Sequence, residues 1–233
     1  MSISLLHYTT ESELEKKLLE YDAEAIDKLP YSEKELMFAY VKYADVLYQY
    51  LRVTSGSYLP SLNNELRAVL GHLAEYRISN TLGMKRDLEK AHGHMRRFNL
   101  DALKILCDDF DRSLSKILKS QYKYDYRGAR LNYLEEFGIK YFNAKNLYII
   151  AQQSESVGSD IAKHNIIALY YEAAKSYILL KQYYQKNKVV VTIAKAKVIT
   201  KNVFIGVLTV FGISVTVMDM FFRDFLLYIL HKF

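Results

Sequence analysis

The sequence contains one cysteine, two prolines and nine glycines in 233 residues, and each scarcity limits the structures available to it. The lone Cys107 can form neither a disulfide framework nor a metal site built from several cysteines. Pro30 and Pro60 leave long stretches free of helix breakers, while Leu, Lys, Glu, Ala and Tyr are abundant. This composition predicts an all-α protein.

Residues 181–218 contain no acidic residue. Six lysines have no acidic residue among them: Lys181, Lys186, Lys188, Lys195, Lys197 and Lys201. The following residues, 203–222, contain a single charged residue, Asp219. About 20 apolar residues in a helix cover the hydrocarbon core of a bilayer, and lysines accumulate on the cytoplasmic side of such a span. The pattern predicts a transmembrane helix over residues 203–222.

Placement in the membrane follows from the same features. The N-terminus lacks the basic start and apolar core of a signal peptide, so insertion is expected to depend on the C-terminal segment. We expect a single-pass protein of the bacterial inner membrane, with a cytoplasmic N-terminal region and a short tail at residues 223–233. Lipid is the first expected partner. A buried core helix is the alternative, because the uninterrupted apolar run ends at Met218 and is short for a span.

One face of the expected span is small, hydroxylated or charged. Its members are Gly206, Thr209, Gly212, Thr216, Asp219 and Arg223. Their spacing of three or four residues approximates a heptad seam. Small residues in lipid favour close helix contact, and ionisable residues face a protein interior or a water-filled cavity. The membrane seam, as we call these six residues, predicts a homo-oligomer. Asp219 and Arg223, four residues apart, are also placed to pair with each other. The alternative is chance, since such residues are frequent in membrane helices.

Helix signals divide the rest of the chain into two predicted units. Residues 1–121 contain two possible capping boxes, Thr10 with Glu13 and Ser32 with Glu35. This region is predicted to form four helices: one ending near Leu29, one from Ser32 past Leu51, and two over residues 61–78 and 84–121. Residues 127–201 contain two apolar seams joined by a turn at residues 154–159, which predicts a long antiparallel helical hairpin. The first seam is Leu134, Phe137, Tyr141, Ala144, Tyr148 and Ala151, and the second is Ile166, Leu169, Ala173, Ser176, Leu180 and Tyr183. No Gly or Pro lies between Ser159 and Asn202, so the second hairpin helix is expected to continue as a basic stalk into the span.

The densest polar group lies between Asn63 and Asp101. Two short phrases echo each other there: Gly71-His72 followed by Arg77, and Gly93-His94 followed by Arg97. Echoing polar residues on two helices are predicted to meet across a shared helix contact.

Two pairs in this group place an arginine a short distance before a histidine: Arg67 with His72 and Arg86 with His92. An Arg followed by His after roughly four to six residues resembles the mark of the HEPN superfamily. These helical bundles include many metal-independent ribonucleases of bacterial defence and toxin systems. Arg86 is followed by the polar Asp87, as active members often require, whereas Ala68 after Arg67 departs from the pattern. The resemblance covers residues 10–121 and implies an HEPN-like bundle, a site completed across a dimer, and an RNA or protein partner from a defence system.

The implied chemistry suits these residue types. A histidine can take a proton from a ribose 2′-hydroxyl near neutral pH, and an arginine can hold the phosphate. The catalytic candidates are Arg86, His92, Arg67 and His72, with no cofactor and no metal expected, since His92 and His94 lie on different faces of a helix. The alternative is structural: His72 and His94 hydrogen-bond between helices, while Arg67 and Arg97 pair with Glu65 and Asp101.

Three functions therefore stay open. The first is a membrane-anchored defence or stress effector that self-associates and perturbs the inner membrane. The second is a membrane-tethered, metal-independent ribonuclease. The third is a non-enzymatic membrane scaffold that binds a partner protein.

Overall fold

The structure is a computed structural model and describes residues 10–21, 23, 32–55, 59–78, 84–123, 131–157 and 160–232. Throughout these ranges the ordered elements are helical and no strand occurs, so the all-α prediction is confirmed for them. The helices are α1 (Glu11–Leu19), α2 (Glu33–Ala39), α3 (Asp45–Ser55), α4 (Pro60–Ile78), α5 (Met84–Lys123), α6 (Leu131–Val157) and α7 (Asp160–Lys232), with a π-helical turn, Tyr40–Ala44, between α2 and α3.

Both predicted caps begin a helix. The Thr10 hydroxyl accepts a hydrogen bond from the Glu13 backbone N–H at 3.3 Å. At Ser32 the capping box is complete: its hydroxyl accepts from the Glu35 N–H at 3.2 Å, and its own N–H donates to the Glu35 carboxylate at 2.7 Å. These bonds satisfy backbone N–H groups that the first turn of a helix leaves without a partner.

Helix α1 is shorter than its predicted extent to Leu29. The backbone turns at Glu20, and the N–H of Tyr21 donates to the carbonyl of Leu18 at 3.2 Å. The turn brings the Tyr21 ring into the core, where it lies 4.9 Å from the Tyr171 ring and donates to Asn99 Oδ1 at 3.0 Å. Packing of one aromatic side chain therefore overrides local helix propensity. The rest of the predicted helix, residues 22 and 24–31 apart from Ala23, lies outside the described residues.

The helices share one contiguous apolar core. Buried side chains from α1 to the first third of α7 belong to it, and α5 lies among them with α3, α4, α6 and α7 as neighbours. Helices α6 and α7 run in opposite directions, since Tyr133 stacks on Tyr183 and Tyr148 meets Tyr170. Five members of the first predicted seam are buried: Phe137, Tyr141, Ala144, Tyr148 and Ala151.

Tyrosine hydroxyls bind carboxylates where α6 and α7 pack on α5. Tyr141 and Tyr177 both donate to Asp111 Oδ1, at 2.8 and 3.1 Å, and Tyr148 donates to Asp108. Burial, followed by these carboxylates, raises the pKa of each of the three phenols. The phenols therefore stay protonated as donors, and they fix the rotation of α6 and α7 against α5.

Lys181 joins the N-terminal part of the chain to the helix that runs on toward the C-terminus. Its ammonium contacts the carboxylates of Glu11 and Glu15, the latter at 2.6 Å, and the Tyr50 hydroxyl at 3.0 Å. The neighbouring Gln182 donates to the second Glu15 oxygen at 3.1 Å. The Glu15 side chain is only 5% exposed, and these contacts offset the cost of burying its carboxylate. Burial and the Glu15 carboxylate together raise the pKa of Tyr50, which keeps its phenol a donor.

Beyond this cluster α7 leaves the core and continues as one helix to Lys232. Its segment Ile199–Asp224 is long and apolar enough to cross a membrane, and none of its most apolar window is buried. Among the described residues no other helix covers the segment, so the structure does not show it as a core helix. The structure also pairs neither Asp219 nor Arg223 with any described side chain, so the expected contact between these two residues is not formed.

Removal of the Lys181 ammonium is expected to destabilise the packed helices. Lys181→Ala leaves the buried Glu15 carboxylate with only neutral donors, which should cost about 2–3 kcal/mol and lower the Tm of the full-length protein in detergent. Lys175→Ala is the matched control on the same helix, since Lys175 pairs with the exposed Glu172 at 3.7 Å. The control should cost below about 0.5 kcal/mol. Equal Tm values for the two variants would contradict the role of Lys181.

Candidate functional site

Two histidines from different helices meet where α4 packs along α5. The rings of His72 and His94 lie 5.2 Å apart between centroids and are inclined by 23°, which is a stacked arrangement. Each side chain is 21% exposed, so solvent reaches both. The predicted meeting of the two echoing polar phrases is confirmed at this pair.

Glu65 and Arg97 complete one side of the pair. Glu65 Oε2 lies 2.8 Å from His94 Nδ1 and 3.6 Å from Arg97 Nε. The Nη2 atom of Arg97 lies 3.0 Å from the same Nδ1. A ring nitrogen either donates or accepts, so His94 donates to Glu65 when Nδ1 carries hydrogen and accepts from Arg97 when it does not. The hydrogen-bond partner of His94 Nδ1 therefore depends on which ring nitrogen carries hydrogen.

Glu75 and Asp87 lie on the other side, next to His72. His72 Nδ1 is 3.1 Å from Glu75 Oε2, one helical turn along α4. Asp87, in the first turn of α5, has a largely buried side chain, and the ammonium of Lys90 lies 3.3 Å from its Oδ1. One ligand atom from each of His72, Glu75 and Asp87 falls within 4.8 Å of the others.

The two predicted pairs, Arg86 with His92 and Arg67 with His72, are not part of this arrangement as pairs. Arg86 is exposed, whereas His92 is 4% exposed, and six residues along one α-helix place two side chains about 120° apart around its axis. Arg67 is exposed and, in the described ranges, forms no ion pair with Glu65 or Asp101, whereas Arg97 does reach Glu65. The structure therefore brings His72 together with His94, and it places Arg86 and His92 on different sides of α5.

Sequence reasoning about the catalytic set missed His94, Glu65, Arg97, Glu75 and Asp87. The echo of Gly71-His72 in Gly93-His94 was the signal for His94. No comparable signal marked Asp87, because its approach to Glu75 depends on how α4 and α5 pack. Electrostatics at the border of the site are mixed: burial raises the pKa of Asp101, although Lys104, whose Nζ lies 3.8 Å away, opposes that shift.

The residues assembled here support two kinds of chemistry. Arginine beside a pair of histidines can hold an anion such as a phosphate and move a proton. A histidine between two carboxylates can bind a divalent cation.

Comparison with known proteins does not decide between these uses. No family model, no curated protein and no solved structure matches the chain. The HEPN-like resemblance therefore stays a prediction that depends on the spacing of Arg67, His72, Arg86 and His92.

Proposed function

We propose that the protein is a membrane-anchored effector that self-associates through its span and perturbs the membrane. The observation that carries the proposal is the exposure of the apolar segment Ile199–Asp224 of α7. Phe204 and Phe211 are 62% and 67% exposed, and no part of the chain that the structure describes packs on them. Each Å² of apolar surface left in water costs about 25 cal/mol, so this segment requires lipid or protein around it. The bacterial defence or stress role comes only from the HEPN-like resemblance.

The dimensions of the segment favour lipid. Its 26 residues span about 39 Å as a helix, which covers a hydrocarbon core of about 30 Å with some tilt. Lysines precede it on the same helix, and the side chains of Lys186, Lys188 and Lys201 are exposed. Such a flank favours a cytoplasmic N-terminal region and attraction to an anionic inner leaflet.

A topology assay tests this placement. We expect the full-length protein to stay in the membrane fraction after carbonate washing, with a reporter after Phe233 periplasmic and a reporter before Met1 cytoplasmic. The double variant Val210→Arg with Ile213→Arg is the control, because each arginine costs about 2.5–3.5 kcal/mol at the centre of a span. Recovery of the wild-type protein in the soluble fraction without detergent would refute the proposal.

The membrane seam supports self-association by its shape. At Gly206 and Gly212 no atom outside the local helix lies within 4 Å of the position that a Cβ would occupy. The hydroxyls of Thr209 and Thr216 donate to the carbonyls of Ile205 and Gly212, at 2.8 and 2.9 Å. This face therefore combines small volume with satisfied hydroxyls, which lets another helix approach closely.

Charge supplies a reason for the span to associate. An unpaired Asp at membrane depth costs about 2.5–3.5 kcal/mol on insertion scales. Within the described helices Asp219 has no ion pair, and Arg223 has none either. A second copy that brings its Arg223 toward Asp219 lowers this cost. A bundle of such helices would also line a polar path, which is how we propose that the membrane is perturbed.

Paired substitutions on opposite faces test the seam. Gly212 and Ser214 are both small and lie about 200° apart around α7. We expect Gly212→Leu to lower the oligomeric mass in detergent and to reduce ion leakage from vesicles, because the added side chain fills the helix contact. Ser214→Leu should change neither quantity. Asp219→Leu should insert normally but leak less, since it removes the charge that the seam places in the span. Unchanged mass and leakage in all three variants would show that the seam is incidental.

A tethered ribonuclease is the second candidate function. The observation that favours it is the solvent-accessible stack of His72 on His94, with Arg97 3.0 Å from a ring nitrogen. One histidine could accept a proton from a ribose hydroxyl while the arginine holds the phosphate. The buried position of His92 makes His72 and His94 the better pair for this chemistry.

Cleavage assays separate the two functions. We expect the full-length protein to leave single-stranded RNA intact in the presence of chelator, as the membrane effector requires. The ribonuclease proposal instead requires metal-independent cleavage that falls about 100-fold or more in His72→Ala and in His94→Ala. The control Glu89→Gln changes an exposed residue of α5 and should not affect cleavage. Cleavage that is lost in His72→Ala and His94→Ala but kept in Glu89→Gln would replace the effector proposal.

A further inference from the structure

A histidine and two carboxylates converge from the end of α4 and the start of α5. The ligand atoms of His72, Glu75 and Asp87 all lie within 4.8 Å of one another. We propose that these three residues bind a divalent transition metal, of which Zn²⁺ is the representative. The proposal is independent of the membrane function and opposes the sequence-based expectation that no metal is bound.

The spacing of the ligands fits such an ion after small rotations. Zn²⁺ lies about 2.0–2.2 Å from imidazole nitrogen and carboxylate oxygen, so two ligands of a tetrahedral site are roughly 3.3 Å apart. The 3.1 Å between His72 Nδ1 and Glu75 Oε2 is already close to that separation. Asp87 needs to approach by at most about 1.5 Å, which a change of carboxylate rotamer can supply.

Asp87 gives the second reason. Its side chain is 12% exposed, yet within the described helices its only ion pair is the 3.3 Å contact from Lys90, itself 41% exposed. A carboxylate offers about four acceptor positions, and a largely buried one is expected to use more of them. Asp87 lies in the first turn of α5, where the helix dipole favours its negative charge.

The neighbouring residues are already committed elsewhere. Glu65 binds His94 and Arg97, so it is not available as a fourth ligand. The fourth position would therefore hold water. Solvent can reach it beside Glu75, because the Glu75 side chain is 60% exposed. Three protein ligands and one open position is the arrangement typical of zinc sites that accept an exchangeable ligand.

A metal at this position would join the C-terminal end of α4 to the first turn of α5. The ion binds the folded arrangement but not the unfolded chain, in which these residues are dispersed, so it stabilises the packing of the two helices. It also occupies a ring nitrogen of His72, which excludes that residue as a free general base while the metal is bound.

Titration of the full-length protein in detergent, after removal of metal with chelator, tests the site. We expect calorimetry to show one equivalent of Zn²⁺ and Co²⁺ to give the visible d–d absorption of a four-coordinate N/O site. His72→Gln, Glu75→Gln and Asp87→Asn should each weaken binding by at least about tenfold. Lys90→Gln should tighten it, because the ammonium competes for Asp87. The matched control is Glu89→Gln, an exposed carboxylate two residues from Asp87, which should bind Zn²⁺ as the wild type does.

Glu75→Gln is the deciding variant, since Glu75 is exposed and its loss leaves the core intact. Zn²⁺ affinity equal to that of the wild type in Glu75→Gln would overturn the site, as would a wild-type protein that binds neither Zn²⁺ nor Co²⁺. Equal weakening by Glu89→Gln would also overturn it, because binding would then reflect general surface charge.

Discussion

One unbroken helix, α7, has to satisfy two different environments. Its first third carries Ile167, Tyr170 and Tyr177 into the apolar core, while residues 199–224 leave every described side chain of that segment exposed. Lys181 lies where the packed part ends, and its contacts to Glu11, Glu15 and Tyr50 hold the helix against the N-terminal elements. No Gly or Pro lies between Lys181 and Asn202, so the helix has no cheap place to bend.

The predicted helices agree with the structure where side-chain periodicity decides them and differ where distant contacts decide them. The seam Phe137, Tyr141, Ala144 is visible in the sequence because burial of one face imposes a spacing of three and four residues. The end of α1 is not visible, since it depends on the Tyr21 ring meeting Tyr171, 150 residues later in the chain. The π-helical turn Tyr40–Ala44 has no signal either: it rotates α3 relative to α2 and so places Tyr43 and Ala44 in the core.

The same distinction explains the candidate site. Arg67 with His72 and Arg86 with His92 were chosen by distance along one helix, but contact across two helices depends on their relative rotation and register. Packing of α4 on α5 selects His72 with His94, and it leaves His92 buried on another face of α5. The repeated phrase, Gly71-His72 and Gly93-His94, partly indicated the contact of His72 with His94. Equivalent positions on two helices that pack side by side can meet. The position of Asp87 carried no such indication, because its approach to Glu75 depends on the packing of α4 on α5.

In the self-association that we propose for the membrane seam, the charges rather than the hydroxyls supply the reason to associate. Thr209 and Thr216 already donate to carbonyls of their own helix, so a partner helix gains little from their hydroxyls. Gly206 and Gly212 permit close approach but provide no attraction beyond van der Waals packing. Asp219 and Arg223 remain, and neither has an ion-pair partner within the described residues of its own chain. Because a charge in lipid is costly whereas a charge paired across two helices is much less so, the association that we propose would lower the free energy of the span at this position.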